Sequence, residues 1–300
     1  MSLSKLLINF IRNIFLYFNL DINVERTKNR IDKTILSSKP LTAGPFMGEF
    51  GWELMQWQGY LRKLSDYDRD IHVICRKNSS FLYEDFAKSI QTFNINSLNP
   101  SYYESQNKLK EIKFEILPNS VWLPATNHCV RMQQILQQRF VKLGKKDITK
   151  KYDIVIHACR DHKNNNVPGR VWPISNWEKL INLLLKKNFS ITSIGTSQTS
   201  SHINGTVNNL DISLNETCDV LFNSNMCVGT TSGAMHLAAS CGTDSIVWFG
   251  NYRDSIYGSL PLRYKHIMNP FSTPVTIIDE YDWLPSSDVV LKQILSKFQM

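Results

Sequence analysis

The chain has 300 residues, 42% hydrophobic and 20% charged, which excludes a disordered polymer and exceeds what one core comfortably organises, so two domains are expected. Thirty-four Lys and Arg against 26 Asp and Glu leave a net charge of +8, a balance that suits an anionic substrate, an anionic membrane or plain solvation. No zinc-finger, RNA-binding or helix-turn-helix signature accompanies the charge, and nucleic acid is set aside as a partner. The six cysteines are scattered, with no CxxC or Cys/His cluster, which reads as reduced thiols in a cytoplasmic protein and supplies no metal ligand set.

Residues 3–19 place Leu3, Leu6, Leu7, Phe10, Ile11, Ile14, Phe15 and Phe18 at helical spacing, with Lys5, Asn9, Arg12 and Asn13 opposite. The stretch is too short and too polar to span a bilayer, and it lacks the apolar run and cleavage site of a signal peptide. It is either a peripheral membrane helix or a helix docked on protein. Residues 1–39 therefore form a helix and a polar connector.

Residues 40–145 read as a first Rossmann-like α/β domain. A short strand opens at Leu41, glycines 44, 48 and 51 mark a turn, a helix is predicted from Trp52 to Leu64, and a strand from Ile71 to Cys75. Glu49 and Glu53 sit at the start of that helix, where carboxylates are favoured by the dipole and where one of them is also a candidate general base. A weaker strand follows over Glu111–Leu117. His128 then precedes an amphipathic helix and reads as a capping or packing histidine.

Residues 146–284 read as a second such domain, followed by a terminal helix within 285–300. DIVIHAC is a buried strand, and Ser175 with Glu178 forms a capping-box pattern for the next helix. FSITSIG is a strand ending at Gly195. The polar loop 160–170 carries Arg160 and Arg170, side chains suited to bidentate phosphate contacts. MCVGTTSGAMHLAASCGTDSIVWFG, residues 226–250, then gives strand, turn, helix and strand. The helix start after Thr230, Thr231, Ser232 and Gly233 exposes unpaired N–H groups and positive dipole, a ready anion site, and His236 lies one turn in. Asn251, Tyr252 and Arg253 lie in the polar and aromatic loop beyond, at the carboxyl end of the strand.

The string GTTSGAMHLAASCGT followed by a buried strand and FG resembles the nucleotide-sugar loop of heptosyltransferase-type glycosyltransferases, Gly-x-Asp-(Thr/Ser)-Gly-x-x-His-(Leu)-x-Ala. Gly229, Ser232, Gly233, His236 and Ala239 match it, and Thr231 stands where the family has Asp. RVWPISNWEKLINLL is similar to that family's basic-x-Trp-Pro segment, which favours Arg170 as the phosphate contact. HACRD resembles the His-x-Arg strand end of fucosyltransferases, which favours Arg160. GEFGWELMQWQ resembles both the heptosyltransferase Gly-Asp turn and a fucosyltransferase Gly-rich loop.

The resemblance implies a GT-B fold, two Rossmann-like domains facing across a cleft. It further implies a metal-independent, inverting transfer of a hexosyl, heptosyl or fucosyl group from a nucleotide-diphosphate sugar to a glycan or lipid-linked glycan, with no cofactor. On that carry-over Glu49, or failing it Glu53, is the base. Arg160, Arg170, Gly195, Thr230, Thr231, Ser232, Gly233, His236 and Asn251 form the donor site. Two other readings stay open: an inactive nucleotide-sugar or glycan-binding protein, and a pyruvyl-type transferase of similar fold.

Overall fold

The computed structural model describes residues 38–94, 112–125, 138–147, 152–160, 171–250 and 259–298. The predicted helix at 3–19, His128 and its neighbouring helix, Arg170 and Asn251 lie outside the described residues. Two compact units divide the chain, Met1–Arg139 and Phe140–Met300.

In the first unit β1 (Leu41–Ala43), β2 (Ile71–Arg76), β3 (Ser89–Phe93) and β4 (Val121–Leu123) form a parallel sheet of order β3-β2-β1-β4. The runs are short, apolar and buried at β1 and most of β2, as expected for strands covered on both faces. The helix after β1 is not uniform: α1 (Phe50–Trp52) passes into a π-helical turn, Glu53–Trp57, before α2 (Gln58–Leu64). All five residues of the π turn are buried, and its first residue, Glu53, is bonded to side chains from β2 and the segment after it. Such turns break the 3.6-residue repeat, so periodicity alone predicts one continuous helix. Residues 112–117 form no strand. The Glu115 amide donates to Gln91 Oε1 at 3.1 Å and the Leu117 amide to Thr42 Oγ1 at 3.3 Å, so side chains take the place of a ladder partner.

The second unit holds a six-stranded parallel sheet of order β10-β9-β8-β5-β6-β7, built from β5 (Tyr152–His157), β6 (Ile191–Gly195), β7 (Val207–Leu210), β8 (Ser224–Thr230), β9 (Asp244–Trp248) and β10 (Val275–Ile278). Its helices are α3 (Ile174–Leu185), α4 (Leu214–Phe222), α5 (Gly233–Cys241), α6 (Leu260–Ile267) and α7 (Ser287–Phe298). Ile154, Ile156, Val228 and Ile246 of the sheet pack with Leu180, Ile181 and Leu184 of α3 and with Val290 and Ile294 of α7. Each such side chain contributes roughly 1.5–3 kcal/mol by leaving water. Trp172, Trp177 and Trp248 close this core, with ring centroids 4.7, 5.0 and 5.6 Å apart.

Two helix starts differ from the sequence expectation. The cap of α3 is Pro173 rather than Ser175, with no side-chain bond, because the Asn176 and Trp177 amides both donate to the Pro173 carbonyl. The capping box belongs to α4, where Ser213 and Glu216 satisfy each other's amides. Residues 260–267, expected as loop, are helical. Ser259 accepts from the Leu262 amide and Pro261 lies in the first turn, both helix-starting features. The terminal helix α7 lies against α3, joined by Lys179–Asp288 at 2.6 Å and by Ser287 Oγ donating to the Asn176 carbonyl at 2.9 Å. Among the described residues no helix is long and apolar enough to cross a membrane.

Candidate active site

The carboxyl edge of the second sheet is where its parallel strands empty into loops, and β8 sits near the middle of it. Gly229 pairs with His157 across the β5–β8 ladder. A Cβ there would stand 3.1 Å from the His157 carbonyl oxygen and 3.2 Å from Met235 Sδ, so glycine lets the strand and helix approach. Thr230 ends the strand at 2% exposure, and its hydroxyl has no hydrogen-bond partner among the described residues. The Thr231 amide donates to the Trp248 carbonyl at 3.2 Å, tying the turn to β9.

Ser232 is the N-cap of α5, with extended φ −160° and ψ 171°, yet its side chain does not cap the helix. Its hydroxyl lies 3.1 Å from His157 Nδ1 instead. No acidic residue stands in the first turn of α5. Among the described residues the helix therefore opens without a capping hydroxyl from Ser232 and without a first-turn carboxylate, an arrangement suited to phosphate. Burial pushes the Cys227 thiol up to about 12, and its Sγ rests 3.6 Å from Met235 Sδ; this cysteine packs under the turn as an apolar group.

His157 occupies the end of β5 between the loops of β8 and β6, 7% exposed. Its Nε2 is 3.0 Å from Ser200 Oγ, so the imidazole bridges two serine hydroxyls. Gly195 makes room for this bridge. It has φ +126°, and a Cβ on it would fall 2.7 Å from Ser200 Cβ and 3.2 Å from His157 Cδ2. The loop carrying Ser200 is itself anchored: the Ser197 amide donates to Asp211 at 2.9 Å and holds that carboxyl below its ordinary range. Arg160 is fixed along the same loop, donating from Nε to Ser201 Oγ and from Nη1 to the Ser197 carbonyl, both at 3.0 Å.

His236, one turn into α5, donates its amide to the Ser232 carbonyl at 3.1 Å, and its ring centroid is 5.5 Å from that of Tyr264. Tyr264 of α6 in turn donates its phenol to the Met235 carbonyl at 3.0 Å. Residues 160, 195, 230–233 and 236 thus sit along this one edge. Sequence reasoning passed over His157 and Ser200 as site members, and Tyr264 too. The Ser259-Leu-Pro261 helix start was the legible sign of α6; the serine bridge leaves no local sign.

In the first unit the two carboxylates have different fates. Glu49 is the exposed N-cap of α1 and makes no side-chain cap bond. Glu53 is 0% exposed. Its carboxylate pairs with Arg76 and accepts from Ser79 Oγ and Tyr83 Oη, each at 2.9 Å. Burial and the neighbouring Glu53 charge push the Tyr83 phenol well above its ordinary value, so it stays a donor. With three donors on it, Glu53 is occupied in holding β2 and the π turn together. Among the described residues no group of three or more His, Cys, Asp or Glu is arranged to hold a metal.

Residues 135–275 match the family described as glycosyltransferase family 9 (heptosyltransferase). The chain is similar to the structure titled E. coli heptosyltransferase WaaC with ADP, at TM-score 0.57 and 10% identity, covering 86% of this chain and 99% of that one. It is similar to E. coli ADP-heptose lps heptosyltransferase II at 0.54 and 13%, covering 87% and 100%. A glycosyl transferase family 9 structure from Veillonella parvula DSM 2008 matches at 0.52 and 10%, covering 88% and 90%. At these identities the likeness shows the fold, which is GT-B. No curated protein matches the chain by sequence.

Proposed function

We propose that this protein, whose residues 135–275 match the glycosyltransferase family 9 model, is a glycosyltransferase that moves a sugar from a nucleotide-diphosphate donor to a glycan or lipid-linked glycan with inversion at the anomeric carbon. One observation supports the donor assignment above the others: α5 begins with an uncapped, carboxylate-free first turn beside the buried hydroxyl of Thr230, which has no hydrogen-bond partner among the described residues. A diphosphate supplies the acceptor oxygens that such a terminus lacks. Arg160 and His236 complete the polar edge, and the helix dipole with Arg160 balances the charge of the departing nucleoside diphosphate.

Glu49 is the base in this reading. It is exposed and lies in the turn after β1, while Glu53 is committed to Arg76, Ser79 and Tyr83 and serves to hold the turn's shape. As the acceptor oxygen bonds to the anomeric carbon, the bond from that carbon to the phosphate oxygen breaks and the hydroxyl proton passes to Glu49. Incubation with ADP-, GDP- and UDP-sugars, followed by mass spectrometry of a glycan acceptor, tests the proposal. Release of nucleoside diphosphate together with a glycosylated acceptor is expected. Acceptor modification without nucleotide release would replace sugar transfer by another group transfer.

A further inference from the structure

Resting on that donor assignment, we propose that His157 is a positioning residue: its imidazole, held between Ser200 and Ser232, aims the Ser232 hydroxyl at the donor diphosphate. A serine at an N-cap ordinarily turns its oxygen back onto the amides of the first helical turn. Ser232 does not, and its Oγ lies 3.1 Å from Nδ1 of His157. The other ring nitrogen is 3.0 Å from Ser200 Oγ. A neutral imidazole has one donor and one acceptor nitrogen, so the two serines must play opposite parts. With the proton on Nδ1, Ser200 donates to Nε2, Nδ1–H donates to Ser232, and the Ser232 hydroxyl proton is left to point away from the ring. With the proton on Nε2, Ser232 donates to Nδ1 instead and its proton is spent inside the protein.

Of the two neutral arrangements, an anion at the start of α5 selects the first, because only that one offers it a hydroxyl donor. The same bond keeps the Ser232 oxygen off the helix amides, so these too face the ligand. The slot is shaped around the ring. Gly195 abuts Ser200 and the imidazole Cδ2 and has no space for a side chain without displacing them, and Gly229 lies against the His157 backbone carbonyl and Met235 Sδ. His157, Ser200 and Ser232 come from β5, the segment after β6 and the segment after β8, three adjacent strands, so the bridge also fixes the spacing of the edge.

The test separates the two ring nitrogens. An asparagine amide reaches the place of Nδ1 and a glutamine amide the place of Nε2. Affinities for ADP, GDP and UDP are measured by calorimetry on wild type, His157→Asn, His157→Gln and Ser232→Ala, with circular dichroism melts as a control for folding. For the diphosphate bound best, His157→Gln and Ser232→Ala should each weaken binding roughly tenfold or more, the loss of one hydrogen bond to a charged group, and His157→Asn should stay within about threefold. The double variant His157→Gln/Ser232→Ala should lose no more than either alone. Equal losses in the Asn and Gln variants, or full affinity in the Gln variant, would overturn the proposal. Independently of any variant's folding, nitrogen-correlated NMR of wild type with bound diphosphate should show His157 as the Nδ1–H tautomer, and an Nε2–H tautomer there would overturn it. Wild type that binds none of the three diphosphates overturns the donor assignment itself, whereas wild-type binding with an unaffected Gln variant overturns this inference alone.

Discussion

Two strand-to-helix turns, one in each unit, share a backbone plan and differ in what surrounds the helix start. After β1 the chain passes through a glycine-containing turn to α1 and sets two carboxylates there, Glu49 at the cap and Glu53 a turn later. After β8 it passes through Gly229–Gly233 to α5 and sets none. A helix terminus attracts anions in both cases. In the first the protein supplies the anions itself, and the buried one is paired with Arg76 and two hydroxyls. In the second the positive end is left for something from outside. On the proposed donor assignment, a helix start serves as a phosphate site through the side chains it omits as much as through its dipole.

The comparison breaks most severely at the buried ion pair. Arg76→Ala leaves the Glu53 carboxylate enclosed without its cation, and the first unit should lose about 3–5 kcal/mol of stability, read as a lowered urea midpoint. An unchanged midpoint would show that the pair does not hold the π turn. Glu49→Gln keeps the shape of the exposed cap and removes its basicity. Turnover should fall roughly 100-fold with donor affinity unchanged, and wild-type turnover would remove Glu49 from the role of base.

The contrast can also be erased from the other side. Ala234→Glu gives α5 the first-turn carboxylate that the other helix has. The helix should gain a few tenths of a kcal/mol while nucleoside diphosphate binding falls on the order of tenfold, measured by thermal melts and calorimetry. Undiminished binding would mean the diphosphate does not approach that terminus. The smallest effect concerns Tyr83. Its raised phenol keeps a proton that the unfolded chain gives up, so its stabilisation is complete below about pH 10 and is lost as pH rises beyond that. Tyr83→Phe should cost about 1 kcal/mol at neutral pH by leaving Glu53 one donor short, and should flatten the alkaline decline of the melting temperature. An alkaline decline identical to wild type would mean another group causes it.

These residues also mark how far the sequence could be read. The stretch 226–250 was legible nearly in full, because short apolar runs bounded by glycine and small residues leave few alternatives to strand, turn, helix and strand. The α1–α2 region was legible as a helix and illegible as an interrupted one. What accompanies its π turn is a buried Glu53 whose partners lie 23 to 30 residues away, beyond any periodicity. The serine bridge is harder still: His157 meets Ser200 across 43 residues and Ser232 across 75. Local pattern finds turns and caps, but it does not say which loops a parallel sheet brings side by side. Gly195 shows the limit within a single residue. It is named above among the donor-site residues, and the structure shows a steric task that no sequence pattern announces, making space for His157 and Ser200.

The three indoles that close the second unit's core carry an optical consequence. Trp172, Trp177 and Trp248 lie close enough for their excited states to mix, and Trp248 is the residue whose carbonyl anchors Thr231. A near-ultraviolet dichroic contribution from this trio is a built-in gauge of the second unit's packing, readable without a dye and assigned by replacing one of the three indoles with phenylalanine.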